Sequence, residues 1–176
     1  MIQTAENLGE FVWIFGPSAV GKRTLIDRIF KGDTSLIMNL DLREPQVYEE
    51  SIKIGRDEPL LVEDMLLHKK DGRSLLIKVQ FSELNGRNVP RDLKNASPDF
   101  NHRIILLFAD ENEMKKHYKS RGLVGDLDWS NMSYESFKSE FSDMQKIAGD
   151  LQSNDGFDLV YFDVGGNCVI ENPTDK

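Results

Sequence analysis

Gly16-Pro17-Ser18-Ala19-Val20-Gly21-Lys22-Arg23-Thr24 is the stretch on which the reading of this chain turns. The apolar run Phe11-Val12-Trp13-Ile14-Phe15 leads into it and reads as a strand. Beyond it Leu25, Ile26, Ile29 and Phe30 fall on one helical face, and Gly32 suits a left-handed C-terminal cap. Gly16 and Gly21 permit backbone angles that other residues resist, so successive N–H groups can converge at the start of a helix. Such a cradle suits phosphate oxygens, and Lys22 adds a point charge for β- and γ-phosphates. The plainer reading is a strand-turn-helix connection that holds two glycines and a lysine by chance. Strand, spacing and helix together favour the phosphate cradle, and the expected ligand is a nucleoside triphosphate, with ATP in first place.

The same alternation continues along the chain. Residues 35–40, 74–79, 103–108 and 157–164 read as further strands, and Ile104-Ile105-Leu106-Leu107-Phe108 is apolar without a break, as a strand covered on both faces requires. Helices are expected after Pro59, with Leu60, Leu61, Met65 and Leu66 as the stripe and Gly72 as the end. Another opens at Asp110, where Glu113 completes a capping-box pattern, and runs towards Ser120. The longest covers 134–151, with Phe137, Phe141, Met144, Ile147, Ala148 and Leu151 as a core-facing stripe. The expected fold is therefore α/β, a three-layer sandwich with a mostly parallel five-stranded sheet. The whole of 1–176 reads as one domain, with lid or flap segments near 83–101 and 115–131.

Composition narrows the partners. The chain is 39% hydrophobic and 30% charged, a balance that folds rather than staying disordered. A net charge of −8 disfavours a broad grip on nucleic acid or an anionic membrane, and suits a small anion held by a few convergent donors. Cys168 is the single cysteine, so neither an intrachain disulfide nor a cysteine-based zinc site is expected, and it reads as a small apolar residue near the last strand. Residues 1–10 lack the basic start and apolar run of a signal peptide, and no stretch approaches the ~20 apolar residues of a membrane span. A cytoplasmic setting is expected. His68, His102 and His117 are scattered among polar residues, so no protein-held transition metal is expected.

On the loop residues the chain resembles the P-loop kinases of the nucleoside monophosphate kinase-like group, and Gly16-Pro17-Ser18 also resembles the loop start of guanylate kinases. The loop match covers 16–25, and the strand pattern extends a coarser likeness over most of the chain. The resemblance implies a P-loop NTPase type of fold, with Gly16, Pro17, Ser18, Ala19, Val20, Gly21, Lys22, Arg23 and Thr24 on the nucleotide and Mg2+ as the companion ion. Arg23 departs from the pattern, because Ser or Thr normally offers magnesium a hydroxyl there and arginine cannot ligate a cation. The order Gly21-Lys22-Arg23-Thr24 looks like the Gly-Lys-Gly-Thr form of adenylate kinase-like enzymes. Thr24 then touches a phosphate, and Mg2+ is held largely by nucleotide and water. Arg23 reads equally as a phosphate donor and as a surface residue.

By the same resemblance, Asp41 just beyond the second strand stands beside the acceptor hydroxyl as a general base or anchor, against a local turn role. Arg43 is a weaker anion-binding candidate; with Pro45 it faintly echoes guanylate kinases, but the rest of that pattern is missing and no GMP site is assigned. The third strand, where a terminal aspartate would hold magnesium through water, ends on Gln80 instead, with Glu83 beyond it. Residues 114–122 resemble the basic helix that leads into a nucleotide-kinase lid. Lys115, Lys116 and Lys119 read as a solvated face, Arg121 as the lid arginine for the transferring phosphoryl group, and His117 stands where another arginine is common. The leading expectation is an ATP-dependent kinase for a small molecule or nucleotide, resting on Lys22, Asp41 and Arg121. The alternatives are an ATP-binding protein without phosphotransfer and a nucleic-acid end kinase, which the acidic balance disfavours. The acceptor and the oligomeric state are not written in the sequence.

Overall fold

A computed structural model describes residues 10–22, 24–25, 36–41, 75–80, 90–91, 94–95, 98 and 100–174, with residues 10, 36–41 and 75–80 as backbone. The strands β1 (Glu10–Phe15), β2 (Leu36–Asp41), β3 (Leu75–Gln80) and β4 (Asn101–Phe108) come first. Helix α1 (Glu111–Arg121), a small hairpin of β5 (Leu123–Val124) and β6 (Leu127–Asp128), a 3-10 turn (Trp129–Asn131) and helix α2 (Tyr134–Asp155) follow. The strands β7 (Asp158–Asp163) and β8 (Cys168–Ile170) close the order. Lys22, Thr24 and Leu25 are helical, and the Leu25 N–H donates to the Gly21 carbonyl over 3.0 Å, the first bond of a helix that starts at the loop.

Among the described residues the main sheet has six strands in the order β2-β3-β1-β4-β7-β8. All neighbours pair in parallel except β7 and β8, which form an antiparallel pair with Tyr161 opposite Ile170. The fold is thus α/β with a mostly parallel sheet, and the expected count of five strands is corrected to six. The missed strand is the short antiparallel edge β8. Cys168 opens that strand and is exposed, not packed as an apolar residue. Within the expected lid segment 115–131 lies the β5–β6 hairpin, with Gly125 at φ 62° in its turn.

Burial explains the continuous apolar runs. Phe11, Val12, Trp13, Ile14 and Phe15 are all buried, so both faces of β1 are covered, as its central place demands. Helix α2 buries Phe137, Phe141, Met144, Ala148 and Leu151, the stripe expected from spacing, and extends past 151 to Gly156, a left-handed cap at φ 75°. Phe137 stacks on Phe141 at 5.9 Å and on Tyr134 at 5.2 Å, while Phe108 of β4 meets Phe137 edge-on at 6.2 Å. The Asp110 carboxylate caps α1 by accepting the Glu113 N–H over 2.9 Å. Of the expected flap 83–101, residues 90–91 and 94–95 are helical, and Arg91 is paired with Asp155 (3.2 Å) and Asp150 (3.6 Å) of α2. Arg43, the helix expected after Pro59, its end at Gly72, and Glu83 lie outside the described residues. Among the described residues no helix is long and apolar enough to cross a membrane.

Candidate functional site

The chain leaves β1 at Phe15 and enters the loop at the carboxyl edge of the sheet. Because β1 lies between β3 and β4, the winding runs to one side of it first and to the other side later. In open α/β sheets that reversal opens a crevice beyond the strand ends, where ligands bind. Phe15 pairs with Val79 and Leu106, while Asp41 and Gln80 pair with each other one position further along. Asp41 therefore ends β2 instead of lying beyond it, and it shares the sheet edge with the loop.

Ala19 has a φ of 66° and Gly21 one of 109°, both outside the usual range of L-residues. A non-glycine residue at such an angle persists only where its surroundings hold it. Two helices do so here. The His117 Nδ1 of α1 lies 2.9 Å from the Ala19 carbonyl, and its Nε2 lies 3.2 Å from the Glu113 carboxylate. The Ser18 N–H donates to the Glu140 carboxylate of α2 over 3.0 Å. The Glu113 side chain thus faces His117 and does not return to cap its own helix. Gly16 fits where little else would: a Cβ there would lie 2.7 Å from Val20 Cγ1 and 3.3 Å from Leu107 Cβ. Since Val20 is itself fully buried, Gly16→Ala is expected to destabilise the protein by ~1–3 kcal/mol. A thermal melt should fall by about 3–10 °C, and an unchanged melting temperature would contradict the crowding.

Lys22 is only 6% exposed, and its ammonium donates to the carbonyls of Gly16 at 2.7 Å and Pro17 at 2.9 Å. The loop therefore carries a positive charge on its inner side and an amide already bonded to an anion, the Glu140 carboxylate. A phosphate oxygen presents the same acceptor chemistry as that carboxylate, so the donor set suits a phosphate group. Thr24 is exposed one turn into the helix, and Arg23 lies outside the described residues. Among the described residues no group of three or more His, Cys, Asp or Glu could hold a metal ion.

Arg121 ends α1 with its guanidinium 4.6 Å from the Trp129 ring centroid, and Trp129 stacks on Tyr118 at 6.2 Å. Lys115 and Lys116 are exposed and pair with Glu111 and Glu113 on their own helix, as a solvated face should. Burial, and after it the Glu140 charge, raises the Tyr118 phenol above its ordinary range. Tyr134 is raised by burial and by Asp110, Glu111 and Tyr118, and its hydroxyl donates to the Ala109 carbonyl over 2.8 Å. Both phenols stay neutral at physiological pH. The structure thus brings the loop, His117 and Glu140 together. Neither of the last two was singled out as a partner of the loop, since they join it across 98 and 122 positions of sequence.

No family model matches the chain, and no curated protein matches it in sequence. Among solved structures it is similar to a sugar kinase from a Janibacter species, with TM-score 0.51 and 16% identity over 88% of this chain and 85% of that one. A gluconokinase from Sinorhizobium meliloti matches with TM-score 0.43 and 14% identity over 87% of this chain and 82% of that one. A structure from the PezAT chromosomal toxin-antitoxin system of Streptococcus pneumoniae matches with TM-score 0.46 and 12% identity over 96% and 73%. At such identities the likeness is one of fold: α/β with a mostly parallel sheet.

Proposed function

We propose that this chain is an ATP-dependent phosphotransferase that acts on a small molecule or a nucleotide. The observation that carries the reading is the loop 16–22, placed at the carboxyl end of the central strand, with an inward cation and an amide that already binds an anion. ATP, with Mg2+ on its phosphate oxygens, supplies the phosphoryl group when bound. Residues 16–24 form the cradle, in the manner of the Walker A loop of nucleoside monophosphate kinase-like proteins, and Lys22 turns from the Gly16 and Pro17 carbonyls towards the phosphates. Thr24 offers its hydroxyl beside them. Asp41, at the same sheet edge, orients the acceptor hydroxyl and takes its proton. Arg121 leaves Trp129 to meet the charge that spreads over the phosphoryl group. The whole of 1–176 acts as one unit in this reading, with 115–131 as the lid, and a cytoplasmic setting fits the single cysteine.

The test is ADP release from ATP and magnesium across a panel of nucleosides, nucleotides, sugars and short oligonucleotides. We expect turnover above background with one acceptor class, and a lower acceptor-dependent rate in Asp41→Asn with ATP binding intact. A second reading, nucleotide binding without phosphotransfer, is favoured by Arg23 within the loop and by Gln80 at the end of β3, opposite Asp41. ATP binding with no acceptor-stimulated turnover across the panel would select it. Labelling of an oligonucleotide end that fades with salt would instead select the nucleic-acid end kinase.

A further inference from the structure

We propose that the Glu140 carboxylate is an internal anion that occupies the phosphate loop before nucleotide enters, and that its displacement sets the affinity of the loop for polyphosphates. This rests on reading the loop as a phosphate site. Glu140 is half-buried on α2, three residues after Phe137 and four before Met144, both of which are buried. Spacings of three and four place it along the core-facing side of the helix, where a charged group needs a partner. That partner is the Ser18 N–H, 3.0 Å away, on a different element and 122 positions earlier in sequence. A carboxylate on an amide is a charge-assisted bond of the kind a phosphate oxygen makes. One N–H cannot serve both anions well, and two anions at the same donor repel each other. Lys22 shows the same self-satisfied state, because its ammonium is folded onto the loop's own carbonyls. Phosphate entry therefore exchanges one set of bonds for another: Glu140 leaves Ser18, Lys22 leaves Gly16 and Pro17, and α2 is released from the loop.

Calorimetric titration with inorganic tripolyphosphate, pyrophosphate and ATP, each with and without magnesium, tests this on the full chain. Glu140→Gln keeps an acceptor for the Ser18 N–H and removes the charge. It is expected to tighten tripolyphosphate binding about tenfold and pyrophosphate binding by less, because the relieved repulsion grows with ligand charge. Glu135→Gln, at an exposed position of the same helix, is the control and should leave all three affinities unchanged. A purely structural role for Glu140 would change the melting temperature without that ordering by charge. Equal or weaker binding in Glu140→Gln overturns the inference, and weakening confined to the magnesium titrations would put the carboxylate on the metal side instead. If wild type and variant bind neither tripolyphosphate nor ATP, the phosphate-site reading falls and takes the inference with it; binding that ignores Glu140 removes the inference alone.

Discussion

Lys22→Ala is expected to lower acceptor-dependent ADP formation about 10³-fold, the upper range for removing one preorganised donor from a developing negative charge. The size follows from where the ammonium sits. It is 6% exposed at the base of the loop, so its interaction with a phosphate is little screened by water. The same burial gives it a second duty, since it donates to the carbonyls of Gly16 and Pro17. Truncation takes this donor from the Gly16 carbonyl, at a further cost of ~1–3 kcal/mol in stability, while the Pro17 carbonyl still accepts from the Val20 N–H at 3.3 Å. Lys22→Met removes the ammonium but retains most of the aliphatic stem, so it separates the loss of the charge from the loss of packing. Steady-state rates of the three proteins decide the matter: a methionine variant within about tenfold of wild type would remove Lys22 from the chemistry.

Phe137→Ala should have the largest effect on stability, ~3–5 kcal/mol, because it removes the middle ring of an aromatic stack. Phe137 is 1% exposed, lies between Tyr134 and Phe141 along α2, and meets Phe108 of the sheet edge-on. A loss of that size lowers the melting temperature by about 10 °C in a protein of this length. Because α2 also carries Glu140 to Ser18, the variant should loosen the loop as well as the core. Urea titration with tryptophan fluorescence measures the change; a loss under about 1 kcal/mol would contradict the tight packing of this ring.

Much of this was legible because it is local. The strand-loop-helix unit around Gly16 and Gly21 is written in consecutive residues, and the spacing of Phe137, Phe141, Met144 and Leu151 marks the buried face of α2 directly. The Asp110 cap was equally readable, since its bond reaches only to Glu113. What escaped was either too short or too distant. Cys168–Ile170 is a three-residue exposed strand, and β5 and β6 have two residues each, too few for a periodicity to register. His117 looked like an incomplete lid, and its i,i+4 relation to Glu113 was the only hint that the ring is held in place. Its contact with Ala19, like that of Glu140 with Ser18, depends on how helices cross the sheet, which no local pattern encodes. Fold class came from repetition along the chain; the loop's partners came only with tertiary structure.

The central position of β1 also determines when the site can exist. Phe11 pairs with Leu75 on one side, and Phe15 pairs with Leu106 on the other. Neither neighbour is close in sequence, so closing those long loops must precede the ladder that fixes the start of the 16–22 loop. On a ribosome, β1 emerges before β3 and β4 and waits unpaired until both have followed it. Folding is therefore slow compared with a helical bundle of the same size, and the start of the 16–22 loop is fixed only once β3 and β4 have both paired with β1.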